Sequence, residues 1–344
     1  MKLNIKNIGM IKEADVKLDG LTVIAGENDT GKSTLGKMLF ATVKADNIKR
    51  RSKKTPKEVM ATWLNLVFDC NISTDGTMTL ANNKNKEILH LHIKDKNFIK
   101  VLNSKELDNG VRPFFDATFV QSPIVFDMVD FFDSVARMKE MQKMEMGGMY
   151  GVDFDFSYPV VFWDLYTKIS SKNPFPKAQN HSNVSEIIQK VIGGEFKKEE
   201  NKLGFNKYFI GKALKVEITN TAFGIKSFGL LQLLNDNGYL NKKYLLILDE
   251  PEVHLHPHWQ LEYAKIIVEL VKNDIFVVVN THSPYMLQAL KFYSDKEEIV
   301  KKKTNFYLAE KNIGDAQSII VDKTNDLNAI FQKLAKPLQD IVWG

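Results

Sequence analysis

The chain has a single cysteine, Cys70, among its 344 residues. One thiol excludes a disulfide framework and any zinc site built on cysteine pairs, and it fits a reducing cytoplasm. Long apolar runs are also missing. No stretch approaches the roughly 20 consecutive apolar residues of a membrane-spanning helix, so no membrane insertion is expected. The first residues, Leu3-Asn4-Ile5, read as strand rather than as the apolar core of a signal peptide. There is no internal repeat, no low-complexity linker and no long heptad run. Charge of one sign is not in large excess: the formal net charge is +5 and the pI about 8.9. That balance is compatible with nucleic acid without pointing to it.

What is present is ordinary for a globular protein, with 44% hydrophobic and 26% charged residues. The length suits two domains, or one with a sizeable insertion.

The chain is organised around Gly26-Glu27-Asn28-Asp29-Thr30-Gly31-Lys32-Ser33, which reads G-x-x-x-x-G-K-S. An apolar run, Leu21–Ala25, leads into it as a buried strand, and Leu35, Met38, Leu39 and Val43 follow at helical spacing. A phosphate-binding loop needs that strand-to-helix context. Gly26 and Gly31 let backbone N–H groups turn toward an anion, and the helix after them adds its positive end. Lys32 supplies a full charge for β- and γ-phosphates, and the Ser33 hydroxyl can ligate Mg²⁺. Asn28, Asp29, Thr30, Gly31, Lys32, Ser33 and Thr34 are therefore the expected ATP-binding residues.

Residues 2–25 read as a short β-meander. A helix is expected over Lys57–Phe68. Three short strands follow, Thr77–Leu80, Ile88–Ile93 and Phe98–Leu102, as an antiparallel subdomain. Ala117–Val120 reads as a strand ending at Gln121-Ser122-Pro123. From Val125 to about Lys190 the pattern is helical, with methionines from Met138 to Met149, Phe131, Phe132 and Phe156, and a break at Gly147-Gly148. Such a stretch serves as core packing or as an adaptable partner surface. Strand signals return after Ile192, through Tyr208-Phe209-Ile210 and Leu214–Ile218.

A second motif lies at Tyr244-Leu245-Leu246-Ile247-Leu248-Asp249-Glu250, a continuous apolar strand ending in two acids. Such strands sit in the middle of parallel sheets. Asp249 would meet the Mg²⁺ held by Ser33, and Glu250 can take a proton from an attacking water. Pro257 opens a helix with Trp259, Tyr263, Ile266, Ile267 and Leu270 inward. Ile275–Val279 is another buried strand, ending at Asn280-Thr281-His282-Ser283-Pro284, and a final amphipathic helix runs from Leu327 to Ile341. His254, His256 and His258 alternate as zinc ligands do, but Pro257 interrupts them. Two basic stretches, Lys49–Lys54 and Lys301–Lys303, are short and far apart in sequence.

With these residues in view, the chain resembles the ABC-type ATPase heads of the SMC/RecF and OLD (overcoming lysogenization defect) group. The resemblance rests on Gly26–Thr34, Gln121-Ser122-Pro123, Ser227-Phe228-Gly229, Leu248–Pro257 and Thr281–Pro284. It implies an α/β fold: a P-loop NTPase head of ABC type with an antiparallel β subdomain and a helical insertion. Residues 1–124 and 191–344 would be the two halves of the head, and 125–190 the insertion. It implies ATP and Mg²⁺ as cofactors. Lys32, Gln121, Glu250 and His282 would be catalytic, with Ser33, Gln121 and Asp249 around Mg²⁺. Ser227 and Gly229, a reduced signature motif, would cap the γ-phosphate of ATP bound to a second copy. A Toprim nuclease domain, carried by OLD nucleases, is not expected, since no Asp-x-Asp pair follows His282.

The resemblance implies a head-to-tail homodimer that hydrolyses ATP and regulates a protein effector encoded nearby, in the manner of prokaryotic anti-phage systems. The alternative is a DNA-binding repair or maintenance ATPase, with DNA or RNA as partner. A transporter ATPase subunit fits less well, because the signature is reduced.

Overall fold

The computed structural model describes residues 1–68, 75–94, 98–102, 114–145, 159–174, 182–199, 202–311 and 314–343. The chain divides into two compact units, Met1–Gln121 with Leu240–Gly344, and Ser122–Tyr239.

The first unit is built on β1 (Lys2–Ile8), β2 (Ile11–Lys17), β3 (Leu21–Gly26), β4 (Gly76–Ala81), β5 (Glu87–Lys94), β6 (Phe98–Leu102), β7 (Asp116–Val120), β11 (Tyr244–Asp249), β12 (Phe276–Thr281), β13 (Thr304–Glu310) and β14 (Ser318–Asp322). They form one eleven-stranded sheet in the order β6-β5-β4-β1-β2-β14-β13-β3-β12-β11-β7. The block β13-β3-β12-β11-β7 is parallel, and β1, β2, β4, β5 and β6 pair antiparallel. Every residue of β3, β7 and β11 is buried. Apolar residues on both faces of a strand demand a neighbour on both faces, which only the middle of a covered sheet supplies.

That demand corrects the meander expected over residues 2–25. β1 and β2 do pair, but β3 lies between β13 and β12, with β13 and β14 separating it from β2. The three strands of the antiparallel subdomain form as expected, continuous with the main sheet through the β1–β4 pair.

Helix α1 (Lys32–Lys49) follows β3, and α2 (Pro56–Phe68) packs beside it. Gly36 lets α1 approach the sheet: a Cβ there would lie 3.0 Å from the Phe119 ring and 3.1 Å from Ile247. Helix α7 (Pro257–Lys272) crosses from β11 to β12, α8 (Pro284–Asp295) leaves β12, and α9 (Glu298–Lys301) and α10 (Leu327–Trp343) complete the unit. A cavity of about 790 Å³ in this unit is lined by Met1, Lys17, Asp19, Tyr307 and Asp322 among others, and by no phosphate-loop residue.

The second unit contains α3 (Val129–Glu145), α4 (Val160–Ser170), α5 (Ser182–Ile192), α6 (Phe223–Asp236) and a three-stranded antiparallel sheet of β8 (Gly194–Glu199), β9 (Lys202–Phe209) and β10 (Lys212–Val216). It is larger than the insertion expected over 125–190. The reason is an aromatic stack: Phe126 lies 5.1 Å from Phe196, which lies 5.0 Å from Phe205. An ion pair at 2.6 Å between Lys226 and Asp127 closes the same core. These contacts draw the strands and α6 into one body with the helices. Phe132 is buried against Trp163 and Tyr166, whereas Phe131 and Met138 are exposed. The Gly147-Gly148 break and Phe156 lie outside the described residues.

Candidate nucleotide site

The loop between β3 and α1 has the backbone an anion cradle requires. Gly31 is left-handed, with φ 81°, and caps α1 without any side-chain hydrogen bond. No acid occupies the first turn of α1, so the positive end of that helix is left uncompensated. Gly26 is needed for a different reason: a Cβ there would sit 2.3 Å from the Ala309 carbonyl of β13. The loop is braced from outside. The Ser318 hydroxyl donates to the Thr30 carbonyl at 2.5 Å and the Met10 carbonyl at 3.1 Å. The Lys311 ammonium holds Asp29 at 2.8 Å.

Lys32 is buried, and its ammonium donates to the Gly26 carbonyl at 2.9 Å and the Glu27 carbonyl at 2.6 Å. Burial lowers its pKa, and the nearby Glu250, Asp249, Glu252 and Glu27 counteract that shift. Asn28 and Asp29 are exposed, and Thr34 is half-buried beside Gly9.

The end of β11 faces this loop. Ser33 Oγ donates to Asp249 Oδ1 at 3.1 Å, and Asn280 Nδ2 donates to the same oxygen at 2.7 Å. Asn280 also donates to the Lys32 carbonyl at 3.0 Å, tying the ends of β11 and β12 to the start of α1. Burial raises the Asp249 pKa, against the lowering effect of these hydrogen bonds. A desolvated carboxylate beside a buried ammonium and a hydroxyl is a fit for a divalent cation with phosphate. Magnesium is usually held by one or two such protein oxygens plus phosphates and water. Gln121 is exposed and follows Val120, whose register partner Leu248 is followed by Asp249.

Glu250 has a left-handed backbone, φ 51°, and its N–H bonds the Asn280 carbonyl at 2.9 Å. A non-glycine residue held there is a strained turn that re-aims its side chain. His282 Nδ1 lies 3.3 Å from Glu250 and 3.5 Å from Glu252, yet this buried nitrogen makes no hydrogen bond. Glu252 is buried, and one of its oxygens accepts from Thr281 Oγ1 at 2.6 Å, His282 N at 2.8 Å and Ser283 N at 3.2 Å. Ser283 Oγ in turn donates to Gln260 at 2.6 Å.

Sequence reasoning assigned no role to Asn280, Ser318 or Gln260, and placed Glu252 only within the stretch Glu252–His256 at the D-loop position of the resembled family. Asn280 had a visible signal, an amide closing an otherwise apolar strand. Glu252 had a weaker one, a third acid inside the turn after β11. Ser318 had none, because its contact depends on β14 lying beside β2. His256 has a local task instead of a metal: its Nδ1 accepts the His258 N–H at 3.3 Å and caps α7. Among the described residues no group of three His, Cys, Asp or Glu could hold a metal ion.

The signature residues lie within a helix. Ser227 comes after its first turn. It is the fifth residue of α6, is buried, and donates its hydroxyl to the Phe223 carbonyl at 3.1 Å. Gly229 is buried as well, and a Cβ there would lie 2.4 Å from the Phe196 ring. Its lack of a side chain is a packing requirement. The helix starts earlier because Ala222 takes an extended N-cap conformation and the Lys226 N–H already bonds its carbonyl. Gly224 and Ile225 lie in the first turn, where N–H groups have no acceptor earlier in the helix.

Residues 164–287 match the family model described as an AAA ATPase domain, a span from α4 through the ends of β11 and β12 into α8. Over 57 residues the chain is 37% identical to the Septu protein PtuA of Bacillus thuringiensis, covering 16% of this chain and 14% of that protein. The aligned segment is thus a small part of that relative. Among solved structures, the SMC head domain with an extended coiled coil from Pyrococcus furiosus, bound to the C-terminal domain of ScpA, superposes with a TM-score of 0.50 at 15% identity. The match covers 99% of this chain and 98% of that one. The SMC head domain from Thermotoga maritima matches at a TM-score of 0.48 and 15% identity, over 93% and 97% of the two chains. The fold is that of an SMC head domain.

Proposed function

We propose that this chain, with the fold of an SMC-like ATPase head, binds Mg²⁺-ATP at the loop 26–34 and hydrolyses it as a molecular switch. The observation that carries the reading is the convergence of Ser33 Oγ and Asn280 Nδ2 on one oxygen of the buried Asp249, beside the buried Lys32 ammonium. Buried charges of this kind are unfavourable without a function that needs them.

The residues have separate tasks. Lys32 exchanges its two loop carbonyls for phosphate oxygens. Ser33 and Asp249, with Gln121, hold the magnesium ion, which when bound neutralises charge on the phosphates. Glu250 accepts the proton of the attacking water, and His282 steadies the γ-phosphate. Glu252 fixes the backbone from which His282 projects.

A γ-phosphate held at this loop would also need a donor group on its far side. A two-fold pair of copies would supply it symmetrically. In that pair the first turn of α6 would present the N–H groups of Gly224 and Ile225 to the partner's phosphate, with Ser227 behind them in the same helix. The opening and closing of the pair is the signal read by a protein effector. The likeness to the Septu protein PtuA supports placing that effector in prokaryotic defence.

The test is light scattering and nucleotide turnover with purified protein. Wild type is expected to hydrolyse ATP and to dimerise with Mg²⁺-ATP, while Lys32→Ala binds no nucleotide by calorimetry and stays monomeric. Near-normal ATP affinity in Lys32→Ala would reject the loop as the site.

A further inference from the structure

Four of the chain's five net positive charges are matched by one hairpin. From Lys202 to Val216 the sequence has Lys202, Lys207, Lys212 and Lys215 and no acid, against a total of +5. This is β9 and β10, joined by Ile210-Gly211, with Gly211 at φ 74° allowing the tight reversal. β10 is an edge of its sheet.

The two faces of the hairpin differ. Pairing places Phe205 opposite Val216, Lys207 opposite Leu214 and Phe209 opposite Lys212, so these six share one face. At its inner end that face is core: Phe205 is 1% exposed and packs on Phe196. Toward the tip it leaves the core, with Phe209 and Leu214 both 54% exposed. Lys207 Nζ lies 5.5 Å from the Phe209 ring centroid, and Lys212 stands across the ladder from it. The opposite face carries Tyr208, whose hydroxyl donates to Glu195. An exposed aromatic ring thus has one lysine ammonium 5.5 Å from its centroid and a second lysine as its cross-strand partner.

We propose that this face binds single-stranded nucleic acid, a base stacking on Phe209 while Lys207 and Lys212 contact the phosphates on either side. Stacking on an aromatic platform bordered by lysines is how strands are held without sequence preference. Charge complementarity selects an anionic partner, and the interleaving of ring and ammonium selects among anions. A membrane surface would want apolar residues gathered beyond the charges. Here the exposed apolar residues near the tip, Phe209, Ile210 and Leu214, are interleaved with Lys207 and Lys212 instead of gathered beyond them. An acidic protein would use the charge but not the exposed ring face.

The site is separate from the nucleotide loop and stands whether or not ATP is hydrolysed. Fluorescence anisotropy of labelled dT20 and rU20, titrated with full-length protein at several salt concentrations, reads it directly. Wild type is expected to bind at least one of them, and the stronger of the two assigns DNA or RNA. Phe209→Ala should weaken binding roughly 5- to 150-fold. Lys207→Ala with Lys212→Ala should reduce the slope of log K against log salt by about 1.4, at roughly 0.7 per contact on single strands. The affected side chains lie outside the core, so the variants should melt as wild type does, which separates lost binding from lost folding. Unchanged affinity in these variants would overturn the site. So would failure to bind either oligonucleotide at 50 mM salt, tighter binding to phosphatidylserine vesicles, or equal binding to polyglutamate.

Discussion

The parallel strands of the first unit carry charge at both ends, and the two ends treat it in opposite ways. Before β12 and β13, Asp274 is held at 2.8 Å by both Lys242 and Lys303, and these bonds lower its pKa to about 2. All three side chains are substantially exposed. After β3 and β11, Lys32 and Asp249 are buried, with the lysine pKa lowered and the aspartate pKa raised by desolvation. The first end is a solvated ion-pair cluster that mildly favours folding. The second holds desolvated charges that oppose folding, the ones proposed above to meet phosphate and a divalent cation. The same sheet therefore separates stability from function by strand polarity, consistent with ligands binding beyond the carboxyl ends of strands.

The largest effect should come from Glu250→Gln. Loss of a general base removes 10²–10⁴-fold of turnover, to order of magnitude, while Lys32, Ser33 and Asp249 still hold ATP. Steady-state phosphate release with parallel ATP calorimetry checks both halves. Turnover near wild type would move the base elsewhere.

Next is Glu252→Ala, which strands three donors of the loop 281–283. It should cost roughly 3 kcal/mol of folding stability in urea melts and also lower turnover through misplacement of His282. Glu252→Gln should recover much of the stability, because an amide oxygen can still accept. If Glu252→Ala melts normally, Glu252 does not position the loop.

The smallest effect is at the opposite end. Asp274→Asn should cost at most about 1 kcal/mol, as exposed ion pairs do, and leave turnover unchanged. Its folded pKa is below the unfolded value of about 3.9, so its contribution is present above roughly pH 4 and is lost as pH falls toward 2. A denaturation series from pH 6 to pH 3 should show wild type and Asp274→Asn converging at the acid end.

Sequence alone made the nucleotide end of the sheet legible for a physical reason. β3 and β11 must be apolar on both faces, and the residues that end them must be glycine, lysine or acid, so composition and position coincide there. The same logic could not place β3, since an apolar run does not say which strands flank it; β13 and β12 come from residues 276–310. Nor could it set the boundary of the second unit, because Phe126, Phe196 and Phe205 look like any aromatic residues until they stack. At α6 the motif match of Ser227 and Gly229 did not disclose the packing: a Cβ at Gly229 would meet the Phe196 ring, and the helix begins at Phe223.

The central claim is that the buried charge after β11 exists for Mg²⁺-ATP and not for folding. Thermal melts of Asp249→Asn, with and without Mg²⁺-ATP, test it most directly. A carboxylate with raised folded pKa opposes folding at pH above that pKa, so the neutral amide should melt higher than wild type at pH 7 without nucleotide. Wild type should then gain about 2.7 kcal/mol at ligand concentrations 100 times Kd, and Asp249→Asn should gain much less. An apo variant that melts well below wild type, yet is stabilised equally by Mg²⁺-ATP, would contradict the account.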